Sequence, residues 1–281
     1  MIGSRIISYS LAFFFLAQFP LFAQSLPDHS RWDHLLKHYV HQGLVDYDAL
    51  VRDRNELDEY LKQLEHYPLD SFSELSREDR VAFWINLYNA SVLRMILNEY
   101  PIRRLDEIPA FFDVRTVRAI DEYFSLSELL DEVLRKGFRD ERVLTALVSG
   151  RMDSPRFLNE AFVGDRLDEQ LDRAAYEFVD NDLLNQIKPG AKKIYLSPLF
   201  RKFGADFLLN YSTTRESRYS EQESAVISFL LYHLKDPAKR IFLDSARYKI
   251  EYLPEDPRLN AVSMSKQTSR VILEAEDRRI S

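Results

Sequence analysis

No cysteine occurs anywhere in the 281 residues of this sequence. That excludes disulfide bonds, a thiol nucleophile and anchoring through a lipidated cysteine. Histidine is scarce as well: there are six, and only His233 lies beyond residue 66. Imidazole is the usual base for a serine or cysteine nucleophile, so most of the chain lacks that partner nearby in sequence. No strong basic cluster is present: 38 Lys and Arg stand against 45 Asp and Glu, a net charge of −7, interleaved as on solvated helix faces. Nucleic acid and anionic lipid are therefore poor partners. No internal repeat and no cofactor signature is read.

Long apolar runs are also few. Arg5 precedes an apolar stretch from Ile6 to Phe22, interrupted by small polar residues, Gln18 and Pro20, and closing with Leu21-Phe22-Ala23. This pattern predicts a secretory signal peptide over residues 1–23, cleaved after Ala23. A run this short, broken by Gln18 and Pro20, is marginal for spanning about 30 Å of hydrocarbon. Removing Arg5 from the 38 basic residues leaves 37 against 45 acidic, a net of −8. The mature protein is expected to be periplasmic or secreted, without stable membrane insertion. Residues 24–262 are expected to form one domain and 263–281 a polar tail.

Within the domain, helical spacing dominates. Ser30 is the expected N-cap of a helix whose apolar face is Trp32, Leu35, Leu36, Tyr39 and Val40, with Gly43 ending it. Helical spacing returns from Tyr47 to Glu65. Ser76, with Asp79 three residues on, caps the most apolar helix, which runs to Pro101. Val114, Thr116 and Arg118 suggest a short strand or hairpin, and Ser125 caps a helix to about Lys136. Val143–Val148 reads as a buried strand, Asp165–Asp182 as an amphipathic helix, Ile194–Leu196 as a strand, Glu221–Leu234 as a helix and Tyr248–Leu253 as a final strand. An α+β fold follows: a helix-rich single domain with a small mixed or antiparallel sheet.

The segment Val81–Leu97, VAFWINLYNASVLRMIL, places Asn86, Tyr88 and Asn89 among residues that favour burial. Asn86 and Asn89, three apart, share a helix face. Buried amides require partners, and most often find them on the backbone. Trp84, Phe83 and Tyr88 are expected in the core.

This helix resembles the hallmark of the domain-of-unknown-function family 547, F-W-x-N-x-Y-N-A, through Phe83, Trp84, Asn86, Tyr88, Asn89 and Ala90. Three further motifs follow the family's order. They are G-x-V-D-Y at Gly43–Tyr47, L-S-P-x-F at Leu196–Phe200, and a terminal pattern kept at Tyr252, Leu253, Asp256, Leu259 and Asn260. The resemblance places candidate chemistry in two segments, S-L-x-x-I-E-H and D-P-R-I-H-F-A-L-V-C-A-S-x-S-C-P. Here Leu130 and Asp131 occupy the Glu and His positions of the first. In the second, Leu144 stands at the His position, Ser149 and Ser154 at the two Cys positions, and Asp153 at a Ser position. A scaffold kept with its chemistry removed implies a pseudoenzyme, a module that binds a peptide, an envelope component or a partner protein.

The candidate ligand-facing residues are Trp84, Asn86, Tyr88, Asn89, Asp153, Asp256 and Asn260. Two alternatives compete. Ser149 or Ser154 would serve a hydrolase or acyltransferase if a distant histidine reached it, although no G-x-S-x-G elbow surrounds either. His34, His38 and His41, spaced four and three apart, would form a helical stripe able to hold Zn²⁺ or Cu²⁺, although it lacks a carboxylate shell and reads as a solvated face.

Overall fold

Helix α1 (Ser30–Tyr39) turns Trp32, Leu35 and Leu36 inward, as their spacing requires. The computed structural model describes residues 26–211, 218–245 and 247–262, so the expected signal peptide and polar tail lie outside the described residues. Ser30 is the first residue of α1 rather than its cap; its N–H is taken by the Asp28 carboxylate at 2.9 Å. Gly43 does not end the helix. Instead β1 (Val40–His41) and β2 (Leu44–Val45) pair antiparallel across Gln42 and Gly43, whose φ angles of 52° and 75° make the two-residue turn.

Three short helices lead to the centre of the molecule: α2 (Tyr47–Leu50), α3 (Arg54–Glu65) and α4 (Leu69–Glu74). Helix α5 (Arg77–Glu99) begins where Ser76 accepts the Asp79 N–H at 3.0 Å and stops ahead of Pro101. It is apolar on nearly all sides because α3, a π-helical stretch and the later helix Leu167–Val179 surround it. The hairpin of β3 (Val117–Ala119) and β4 (Glu122–Phe124) follows, then α6 (Leu126–Glu128), capped by a reciprocal Ser125–Glu128 pair. From Leu129 to Lys136 the same rod continues as a π-helix.

Val143–Val148 is not a strand. Val143–Ala146 forms the one-turn helix α7, and the chain is extended from Leu147. A short continuous apolar run fits either state, and among the described residues no strand pairs with this one. The second half contributes α8 (Leu167–Val179), β5 (Gln186–Lys188), β6 (Lys193–Leu196), α9 (Pro198–Phe203), α10 (Glu221–His233), α11 (Pro237–Asp244) and β7 (Lys249–Tyr252). Its sheet has the order β5-β6-β7, antiparallel then parallel. The α+β class is thus observed, with three small sheets in place of one.

Two hydrophobic clusters form. The first gathers Trp32, Tyr60, Phe83 and the other buried faces of α1, α3 and α5. The second packs Phe178, Phe200, Phe207 and Phe229, with ring centroids of neighbouring pairs 4.8–6.0 Å apart. Each such buried side chain contributes roughly 1.5–3 kcal/mol relative to exposure. Leu130 of the π-helix packs against both clusters, so the seam between them runs beside it.

Buried amides fix the irregular backbone at this seam. Asn86 donates to the Phe162 carbonyl at 2.8 Å and accepts the Phe162 N–H at 3.0 Å. Gln170 takes the Ala161 carbonyl and the Val163 N–H, at 2.8 and 2.9 Å. Asn89 holds the Ala146 carbonyl and the Val148 N–H, both at 2.9 Å. In each case an amide side chain supplies the donor and acceptor that a neighbouring strand would otherwise provide.

The segment 257–261 threads past these loops. The Leu105 N–H donates to the Pro257 carbonyl, the Leu259 N–H to that of Arg103, the Asn260 N–H to that of Gly150, and the Met152 N–H to that of Arg258, all at 2.8–2.9 Å. Gly150 has φ +83°, and a Cβ there would fall 2.5 Å from Ile96 Cδ1. Only glycine lets the chain turn this close to α5.

Candidate functional site

At the seam lies a cleft of about 370 Å³. Its floor is Tyr88 of α5 together with Leu126, Leu144 and Leu147. The π-helix contributes Leu130 and Asp131; the loop after α7 contributes Ser149, Asp153 and Ser154; α9 closes the far side with Lys202 and Phe203. Departures from α-helical winding recur at functional sites, and here the π-helix Leu129–Lys136 presents Leu130 and Asp131 to a cavity.

The six substituted positions named above all line this one cleft: Leu130, Asp131, Leu144, Ser149, Asp153 and Ser154. They come from three separate elements, so sequence proximity does not explain the convergence. Tyr88 and Asp153 also line it, whereas the other candidate ligand-facing residues do not. Trp84 is buried edge-to-face against Phe72, Phe83 and Phe124, with centroids 5.3–5.4 Å away. Asn86 and Asn89 are consumed by the backbone clamps described above. Asp256 grips Arg258, which holds its carboxyl below the usual range, and its N–H donates to Asp153 at 2.6 Å. Asn260 is fully buried and accepts the Tyr47 hydroxyl at 2.7 Å.

Neither serine is set up as a nucleophile. The Ser154 hydroxyl is directed at the carbonyls of Arg151, at 2.9 Å, and Pro155, at 3.1 Å, which occupies its proton with backbone acceptors. Ser149 is half-buried, and no side-chain base hydrogen-bonds to either hydroxyl among the described residues. None of the six histidines lines the cleft. His233, the only one late enough in the chain to have been a distant partner, sits against the Phe229 ring and 3.4 Å from the Tyr211 hydroxyl, where burial lowers its pKa to about 4. Activating a serine requires a base within hydrogen-bond reach.

The charged groups around the cleft are largely paired. Arg151 binds Asp153 in bidentate fashion, at 2.8 and 2.9 Å, and reaches Glu255 at 2.9 Å; the Asp153 carboxylate holds the guanidinium pKa above its ordinary value. Asp131 pairs with Arg135, which also holds Asp206. Tyr88 is buried, and burial, reinforced by the Asp131 carboxylate, raises its phenol above the ordinary value, so the hydroxyl stays protonated.

The histidine stripe is not assembled. His34 and His38 do stack on α1, with ring centroids 4.0 Å apart, and His34 reaches Glu56 at 3.2 Å. His41, however, is on β1, beyond the end of the helix. Among the described residues, no group of three or more His, Asp or Glu is placed to hold a metal ion.

With the signature helix and the cleft in place, the comparison with protein families is direct. Residues 72–179 match the family model described as "Protein of unknown function, DUF547". The DUF547 match takes in the whole of α5 and all six substituted positions, and the resemblance read from the sequence holds over that range. The motifs at Gly43–Tyr47, Leu196–Phe200 and Tyr252–Asn260 fall outside it. No curated protein and no solved structure matches the chain.

Phe112, Arg151, Lys202 and Phe203 complete the cleft and were not singled out by sequence reasoning. Pro198 offered the one signal toward the far wall, as part of the L-S-P-x-F element that starts α9.

Proposed function

We propose that this protein is an exported, non-catalytic binding module that uses the DUF547 cleft as a ligand site. One observation carries the reading: the positions expected to bear imidazole, thiol, hydroxyl and carboxyl groups converge in a single cavity, and there they are Leu130, Asp131, Leu144, Ser149, Asp153 and Ser154. Leucine at two of them turns a floor expected to be reactive into an aliphatic one. Export rests on the sequence pattern of residues 1–23. The cleft falls within the usual size range of small-ligand sites, roughly 300–1,000 Å³.

Fluorophosphonate treatment of the mature protein, read by intact mass with Ser149→Ala and Ser154→Ala as controls, tests the reading. The expected result is no adduct. Stoichiometric labelling lost in one variant would overturn the non-catalytic reading and identify a serine enzyme.

A further inference from the structure

Most of the acidic groups in the cleft have cationic partners, whereas its cation Lys202 has no acidic partner among the described residues. Asp153 and Glu255 share Arg151, Asp131 is held by Arg135, and Asp113 takes the Ser127 hydroxyl at 2.8 Å. Lys202 has no carboxylate within ion-pair distance among the described residues, and its ammonium lies 5.0 Å from the Phe203 ring centroid. At this end the cleft continues into a second hollow of about 340 Å³, which shares Pro198, Lys202 and Glu255 with it. Arg201 lines that hollow, also without a carboxylate partner, stacked 4.7 Å over the Tyr252 ring. In a chain of net charge −7, two adjacent cations left without acids beside a leucine-lined hollow are the electrostatic complement of an amphiphilic anion.

We infer that the cleft binds an aliphatic carboxylate, its chain among Leu130, Leu144 and Leu147 and its carboxylate at Lys202. This rests on the binding-module reading and narrows it to a ligand class. The aliphatic floor supplies affinity through burial, and the unpaired ammonium supplies selection for the anionic end. A medium-chain fatty acid and the free C-terminus of a leucine-ending peptide both carry this chemistry.

Calorimetric titration of the full mature chain with hexanoate, octanoate, octylammonium and octanol tests the inference, with N-acetyl-Ala-Ala-Leu as free acid and as amide. Each buried methylene is worth about fourfold in affinity, so octanoate should bind about 10–20-fold more tightly than hexanoate. Octylammonium should not bind. Lys202 is exposed, so Lys202→Met should leave the fold intact while weakening octanoate at least about fivefold and leaving octanol unchanged. Leu130→Glu, at a half-exposed position, should abolish octanoate binding. Tighter binding of octanoate than of the acetylated tripeptide acid assigns the fatty acid as the source, and the reverse assigns the peptide terminus; either supports the inference. It is overturned if octylammonium or the tripeptide amide binds as well as its acid counterpart, or if neither acid binds up to about 10 mM. Failure here without fluorophosphonate labelling removes the ligand class and leaves the non-catalytic reading standing, whereas labelling removes that reading whatever octanoate does.

Discussion

Asn89→Ala should destabilise the protein by about 2–5 kcal/mol without touching any apolar contact of comparable size. The Asn89 amide makes two hydrogen bonds, to the Ala146 carbonyl and from the Val148 N–H, at a position only 3% exposed. A neutral hydrogen bond contributes about 0.5–1.5 kcal/mol net, and a buried group stripped of its partner costs roughly 1–3 kcal/mol; here a carbonyl and an N–H are stripped together. At about 2–4 °C per kcal/mol for a domain of this size, the melting temperature should fall by roughly 4–20 °C in a thermal scan, with urea unfolding giving the free energy directly. Asn89→Asp adds a sign test. The introduced carboxyl keeps an acceptor for the Val148 N–H, yet when ionised it faces the Ala146 carbonyl in a dry site, so its folded pKa must rise above the unfolded value of about 3.9. A raised carboxyl pKa favours folding at low pH and weakens it as pH increases. That variant should therefore recover stability relative to Asn89→Ala near pH 4 and lose it near pH 7. A loss below about 1 kcal/mol for Asn89→Ala, or no pH dependence for Asn89→Asp, would refute the clamp as a source of stability.

Gly150→Ala should lose about 2–4 kcal/mol in urea unfolding, because φ +83° disfavours an L side chain and the new Cβ meets Ile96; a loss below about 0.5 kcal/mol would mean the loop shifts freely. His29 and His233 are both lowered by burial to about 4, against 6.5 in the unfolded chain. Their contribution to stability is complete above about pH 6.5 and is lost as pH falls toward 4, because the unfolded chain takes up the protons first. Imidazole resonances followed by NMR should give midpoints near 4 for these two, and a midpoint above 6 would show the site to be open to water. Asn86→Ala should behave like Asn89→Ala in unfolding free energy and add to it within about 0.5 kcal/mol in the double variant, since the two amides hold separate segments.

Sequence was most informative where a cap and a periodic face coincided. Ser76 and Ser125 each accept a backbone N–H at the start of their helices, and the faces of α1, α3 and α8 are buried as their spacing requires. It was least informative where side chains replace secondary structure. Val143–Val148 carries the composition of a strand, but Asn89 satisfies its backbone from α5, 57 residues away in sequence at the Ala146 bond. No local pattern announces such a partner. The hairpin at Val40–Val45 was hidden for a related reason, since its strands are two residues long and its turn uses Gln42 at positive φ. For the site, the resemblance located the floor and the substituted positions. Lys202 and Phe203 were invisible because their role depends on how the second core packs against the first.

The boundary of the DUF547 match divides the cavity. Tyr88, Leu130, Leu144 and the serine loop fall inside residues 72–179, whereas Pro198, Lys202, Phe203 and Glu255 come after them. Most of the cleft's lining is therefore carried by the recognisable segment, and the remaining wall is written in sequence that can change without disturbing the match. Two proteins alike over that segment need not share a ligand. Their preferences are to be sought in the chain that follows α8, where the mouth of the cleft is made.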